Sequence, residues 1–188
     1  MGVPRHQITV ALATLSLGTA FTTAAQAQIG LAAGPSVAFG AGAGGGVHAK
    51  LSLQGSLTDH VLLRATGVAH RLSVAIAQPS CIPEAPRCDS YTIPYPETLL
   101  SGSLALVLPI PALNRHLYAL AGAGVHHGSG YKNLNDRYGT TGGVSAGVGL
   151  ATGGVRRRGV GIEAEYQQLI RGLGDLQGIL VPSVVLRF

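Results

Sequence analysis

The strongest constraint on the fold is an alternation of apolar and polar residues, which recurs in eight segments with no helical segment between them. In the seventh segment, for example, Ile162 and Ala164 alternate with Glu163. Neighbouring side chains of a β-strand point to opposite faces, so each segment predicts a strand with one apolar and one polar face. The eight predicted strands are 29–39, 46–56, 60–71, 98–109, 117–127, 141–151, 159–169 and 178–188.

The first 27 residues have the features of a secretory signal peptide. Arg5 gives a basic start, residues 8–21 form an uncharged apolar run, and Ala25-Gln26-Ala27 offers small residues at a processing site. A single membrane helix is the alternative interpretation, but the run is shorter than the roughly 20 apolar residues that such a helix needs. The sequence therefore predicts export and cleavage after Ala27.

The rest of the chain is poor in charge for an exported domain without a membrane helix. Charged residues make up 11% of the sequence, whereas soluble domains average about 25%. No apolar stretch after residue 27 is long enough to span a membrane as a helix. Only helices and closed barrels satisfy every backbone hydrogen-bonding group in lipid. The sequence therefore predicts one all-β domain at 28–188, an eight-stranded antiparallel up-and-down transmembrane β-barrel.

The lengths of the connections support this strand plan. Those at 57–59, 110–116 and 152–158 are short, whereas those at 72–97 and 128–140 are long. Short and long connections alternate when turns face the periplasm and loops face the outside. The loops at 72–97 and 128–140 are therefore predicted to be extracellular.

Two prolines fit this plan less well. Pro35 and Pro182 lie inside the first and last predicted strands, which meet where the barrel closes. Each proline removes a hydrogen-bond donor from the ladder. A bulge or a local weakness is therefore expected at this seam.

Five charged residues take the face opposite the apolar rows. A lipid-facing Arg or Lys near the bilayer midplane costs about 2–4 kcal/mol, so this polar face is predicted to line the lumen. The lumen of an eight-stranded barrel is just wide enough for side chains to fill. We expect a salt-bridged plug there, the alternatives being a narrow conducting or proton-relay path, or acid–base chemistry by the two carboxylates. The residues are Lys50, Arg64, Glu163, Glu165 and Arg187.

Cys81 and Cys88 are the only cysteines. Exported chains meet an oxidising environment, so a local disulfide is predicted in this segment. A metal site there would need two further ligands, and no histidine lies between the two cysteines. Neither a metal nor a cofactor is predicted for the chain.

The basic residues are few and mostly scattered. The net charge of +5 is too mild to indicate nucleic-acid binding. One cluster, Arg156-Arg157-Arg158, is predicted either to contact anionic lipid head groups or to form a solvated turn.

The last five residues, Val184-Val185-Leu186-Arg187-Phe188, resemble the C-terminal assembly signal of bacterial outer-membrane proteins, with Val184, Leu186 and Phe188 on the outward row. With the Ala-Gln-Ala processing site and the strand plan, the whole chain after residue 27 resembles the small outer-membrane barrel superfamily of OmpA-like and OmpX-like proteins. This resemblance implies a location in the bacterial outer membrane, contact with its lipid and lipopolysaccharide, and insertion by the barrel-assembly machinery. A monomer is expected. The family includes structural anchors, adhesion and resistance factors, and a few lipid-modifying enzymes.

The segment His126-His127-Gly128-Ser129 resembles the His-x-Ser pair of lipid A deacylases with this architecture. In such an enzyme His127 would activate Ser129 for attack on an acyl ester. The orienting acidic residue is missing from 140–145, and Asp136 is only a loose substitute. The sequence therefore predicts a non-enzymatic barrel with a structural or surface-interaction role. A lipid A-modifying acyl hydrolase that uses His127 and Ser129 is the alternative, and the inward charges argue against a soluble barrel with an apolar ligand.

Overall fold

A computed structural model describes residues 27–40, 44–80, 89–111, 116–129, 139–173 and 176–188. Within these residues the chain forms eight strands. They are β1 (Gln28–Gly40), β2 (Gly45–Ser56), β3 (Leu62–Ser80), β4 (Asp89–Pro109), β5 (Leu117–Ser129), β6 (Gly139–Ala151), β7 (Gly159–Leu173) and β8 (Leu176–Arg187).

The strands form one closed antiparallel sheet. Each strand pairs with the next in the chain, and β8 pairs with β1 to complete the barrel. The predicted fold class, an all-β, eight-stranded, antiparallel up-and-down barrel, is confirmed. In the described ranges no helix is long and apolar enough to cross a membrane.

The two ends of the barrel differ in how the strands are connected. The turn end carries the connections at 57–61, 110–116 and 152–158, together with the start of β1 and the end of β8. The opposite end, called the hairpin end, carries the far end of the β3–β4 hairpin, whose last described pair is Ser80 with Asp89.

The β3–β4 hairpin is much longer than predicted. The sequence assigns 72–97 to a loop, but β3 continues to Ser80, β4 begins at Asp89, and the two residues are paired. The predicted strand ends at 71 and 98, and with them the loop at 72–97, were therefore wrong. The pairing continues through Pro79, Pro94 and Pro96, because a proline fits in a strand wherever the ladder needs no hydrogen bond from its nitrogen.

The seam between β1 and β8 contains Pro35 and Pro182. Between Ala33 and Val37, β1 forms no ladder pairs with β8, although the two strands pair on both sides of this gap in the same register. The shift in register lies nearer the hairpin end, between Phe39 and Gly40. At the prolines the β1–β8 ladder thus has a gap. The shift in register is a separate feature, because it lies several residues away from Pro35.

Large apolar side chains are exposed on the outside of the barrel, and most charged side chains in the middle of the strands are buried inside. The exposed outer face includes Leu51, Leu104, Val148, Ile162 and Val184. Inside the barrel, apolar side chains form one cluster toward each end. The cluster at the hairpin end includes Leu72, Leu99, Leu169 and Ile179, and the cluster at the turn end includes Leu62, Val107, Leu120 and Val155.

Candidate functional site

The charged residues assigned to the lumen from the sequence are buried inside the barrel. Glu163 lies at their centre, since its carboxylate accepts hydrogen bonds from Lys50 Nζ and, at 2.5 Å, from Arg64 Nη1. Lys50 Nζ also donates to Glu165 Oε2 at 3.1 Å. The fold therefore brings Lys50, Arg64, Glu163 and Glu165 into one ion cluster.

Tyr118 joins the fifth charged residue, Arg187, to this cluster. The Tyr118 hydroxyl donates to Glu163 Oε2 at 2.7 Å and accepts from Arg187 Nη2 at 2.6 Å. The guanidinium carbons of Arg64 and Arg187 lie 5.5 and 5.2 Å from the centre of its ring, within the range of cation–π attraction. Sequence reasoning missed Tyr118 because both faces of β5 are largely apolar, so its alternation does not mark an inner face.

Gln54 extends the ion cluster toward the turn end. Arg64 Nε and Nη2 donate to Gln54 Oε1 at 3.1 and 2.9 Å, and Gln54 Nε2 donates to the Val155 carbonyl oxygen at 3.1 Å. The Val155 side chain is buried in the apolar cluster at the same end. The side chains of this ion cluster are therefore cross-linked across the lumen, and both Glu163 and Glu165 are paired with a cation.

Three histidines form a second polar layer in the lumen. Ser36 Oγ lies 3.2 Å from His48 Nδ1 and 3.0 Å from His70 Nδ1, and the two imidazole rings are 5.8 Å apart. His126 Nδ1 lies 2.8 Å from Ser101 Oγ. Within the residues that the structure describes, no three His, Cys, Asp or Glu side chains are placed to hold a metal ion.

His48 also bridges the seam where the prolines interrupt the ladder. Its Nδ1 donates to the Pro35 carbonyl oxygen at 3.0 Å, and its Nε2 lies 2.9 Å from Ser183 Oγ. Side-chain hydrogen bonds from β2 to β1 and β8 thus replace part of the missing backbone ladder. The sequence signals this position only weakly, as one histidine on a polar face.

The predicted His-x-Ser pair lies on β5 near the hairpin end. His127 is exposed, and its Nδ1 is 2.9 Å from Thr140 Oγ1. The register places Thr140 directly opposite His127. His126, in contrast, points into the lumen.

Some of the remaining predicted site residues lie on the outer face of the barrel, and the others fall outside the residues that the structure describes. Val184, Leu186 and Phe188 are exposed on the outer face, as their assignment to an outward row requires. The Phe188 backbone N–H donates to the Ile29 carbonyl oxygen at 2.9 Å. The predicted signal peptide up to residue 26, the Cys81–Cys88 disulfide and Asp136 lie outside the described residues.

No protein-family model matches this chain, and no curated protein matches it in sequence. Among solved structures the chain is similar to the crystal structure of Ail, the attachment invasion locus protein of Yersinia pestis. The two chains share 16% sequence identity with a TM-score of 0.46, over 86% of this chain and 97% of that chain.

Proposed function

We propose that this protein is a non-enzymatic β-barrel of the bacterial outer membrane, with a structural or surface-interaction role through the segments at its hairpin end. The observation that carries the proposal is the inversion of polarity across the barrel wall. Large apolar side chains are exposed on the outside, Val148 by 54% and Ile162 by 60%, whereas Lys50, Arg64 and Glu163 are at most 4% exposed inside. A barrel in water would have the opposite arrangement, because its core would be apolar and its surface charged.

The dimensions of the strands agree with a membrane location. A strand needs about 9–11 residues to cross a bilayer, and the shortest strands here, β2 and β8, have 12 residues. Closure of the sheet leaves no unpaired edge around the barrel wall, as lipid requires. The filled lumen favours a structural role over the conduction of a solute.

The β3–β4 hairpin supports the surface-interaction part of the proposal. Neighbouring strands end at its base, since β2 begins at Gly45, opposite Ser73, and β5 ends at Ser129, opposite Thr98. Beyond these residues both edges of the ribbon are without a described neighbour. An open strand edge can bind an extended segment of a partner by main-chain hydrogen bonds. Residues 74–78 contain no proline, so the N–H groups of this stretch that point away from β4, which are every second one, can all donate to such a segment.

Export, cleavage after Ala27, assembly through the C-terminal row and a Cys81–Cys88 disulfide belong to the same proposal. β1 begins at Gln28, the first residue after the proposed cleavage site. The last described pair of the hairpin, Ser80 with Asp89, adjoins the two cysteines in sequence. The first observation supports the cleavage site, and the second supports the disulfide.

The membrane location is tested by fractionation and gel mobility. The protein expressed in a Gram-negative host should co-fractionate with the outer membrane and float with its lipids. On a denaturing gel it should migrate faster unheated than boiled, because a closed barrel resists unfolding in detergent. A protein that stays in the soluble periplasmic fraction, with one mobility, would contradict the proposal.

The orientation is tested by epitope tags at the two ends. A tag inserted after Ser80, at the tip of the hairpin, should bind antibody on intact cells. A matched tag between Gly153 and Gly154, at the turn end, should bind antibody only after the outer membrane is permeabilised. The reverse pattern would show that the hairpin faces the periplasm and would rule out its role at the cell surface.

A further inference from the structure

The turn end carries a basic pocket whose walls belong to different turns. The pocket has a volume of about 490 Å³, and its lining includes His60, His116, Arg156 and Arg157. Asp59 also lines it and is the acidic member of the group. Arg158 follows in sequence and is exposed at the same turn. This end of the barrel therefore presents three consecutive guanidinium groups beside a concave surface.

The fold holds the basic turn in place. Arg156 Nη2 donates to the Thr58 carbonyl oxygen at 2.8 Å, and the Arg156 carbonyl oxygen accepts a hydrogen bond from Gln28 Nε2. The neighbouring Val155 side chain is anchored in the apolar cluster of the lumen. His116 Nδ1 donates to the Ala151 carbonyl oxygen at 2.8 Å, which orients its ring. Arg156 is thus used structurally, whereas Arg157 and Arg158 are exposed.

An apolar groove on the outer face begins at this pocket. A depression of about 460 Å³ shares His116 and Gly153 with the basic pocket and continues along Leu150, Val160 and Ile162. A further depression of about 490 Å³ shares Leu150 and Ile162 with it and extends across β7 and β8 toward β1. Cationic groups and an exposed apolar track are therefore continuous along one side of the barrel.

We propose that this composite surface binds an anionic phospholipid of the periplasmic leaflet. Its phosphate lies at Arg157 and Arg158, and an acyl chain lies along the groove of Leu150, Val160 and Ile162. This inference rests on the proposed function, because the groove faces lipid only if the barrel spans the membrane. Charge complementarity selects the occupant, since basic side chains next to a bilayer attract anionic head groups. A free anion would occupy only the basic pocket, whereas a phospholipid would also occupy the adjoining apolar groove.

The test compares phosphatidylglycerol with phosphatidylcholine of identical acyl chains, bound to the detergent-purified barrel and counted by native mass spectrometry. Wild-type protein is expected to retain phosphatidylglycerol in preference to phosphatidylcholine. The Arg157→Gln variant should lose about fivefold in phosphatidylglycerol affinity and the Arg157→Gln/Arg158→Gln variant about 25-fold, because each basic residue near an anionic surface contributes about fivefold. Phosphatidylcholine binding should not change.

Two controls separate this site from general charge effects. Arg171→Gln removes an exposed arginine from β7, the strand that follows the basic turn, at the hairpin end and should leave the lipid preference unchanged. Arg157→Lys/Arg158→Lys keeps the charge and should keep the preference. Each variant is first checked for the faster mobility of the folded barrel on an unheated gel.

Each outcome bears on a defined part of the inference. Equal retention of the two lipids by a correctly folded, membrane-inserted wild-type barrel would overturn the lipid site and leave the proposed function intact. Displacement of phosphatidylglycerol by inorganic phosphate at equal concentration would also overturn it, because the site would then be an anion pocket alone. A wild-type protein that does not float with vesicles would instead contradict the proposed function.

Discussion

Replacement of Glu163 by leucine is expected to lower the free energy of unfolding by about 3–5 kcal/mol, the cost of removing one partner from a buried ion pair. The Glu163 carboxylate accepts hydrogen bonds from Lys50, Arg64 and Tyr118. Leucine would leave Arg64 without its carboxylate partner in the cluster and would deprive the Tyr118 hydroxyl of its acceptor. Both consequences are costly, because the lumen provides few alternatives for buried polar groups.

The measurement is a denaturant titration of the barrel in lipid vesicles, followed by the loss of the faster gel mobility. Glu165→Leu is the matched control, since it removes a carboxylate from the same strand and the same cluster. Its effect should be smaller, because Glu165 accepts hydrogen bonds only from Lys50 Nζ at 3.1 Å and from Gln167 Nε2 at 3.4 Å. In this variant Lys50 would also retain its ion pair with Glu163. Negligible losses for both variants would mean that water, and not the ion cluster, solvates these groups, and equal large losses would contradict the central place of Glu163 in the cluster.

Replacement of Leu104 by arginine is expected to cost about 2–4 kcal/mol of stability in a bilayer, the value for a basic residue facing lipid near the midplane. Leu104 is exposed on the outer face of β4, near the middle of the part of that strand that pairs with β5 (98–109), and it pairs with Ala65 of β3 and Ala123 of β5. Small neighbours of this kind offer the guanidinium no polar partner. The variant should therefore unfold at lower denaturant concentration in vesicles and accumulate less in the outer membrane.

Leu108→Arg provides the same change at a different depth. Leu108 is also exposed on the outer face, but it adjoins Pro109, the last residue of β4, at the turn end. There the cost should fall to about 0–1 kcal/mol, as for basic residues near the membrane interface. If the two variants were equally stable, the outer face at Leu104 would not lie in hydrocarbon, and the membrane assignment would fail.

Much of the fold could be read from the sequence because strand alternation is a local property. Side chains alternate between the two faces of a strand, so whether Lys50 or Glu163 points into the barrel depends only on its position in that alternation. Both residues are buried, as the alternation predicts. The same reasoning gave an approximate position to every strand. It failed at 72–97, because the pairing of β3 with β4 extends both strands beyond the residues whose alternation predicted them.

The contacts inside the barrel could be decided only by the tertiary structure. Alternation identifies Lys50 and Glu163 as inward residues, but they are 113 residues apart, and their meeting depends on closure and on the relative register of all the strands between them. The same holds for Tyr118 between two arginines, and for His48 across the proline gap of the seam. The sequence by itself determined which face each side chain takes, because that choice has a period of two residues. The barrel's closure determined which side chains meet, because register is a relation between strands and no single strand contains it.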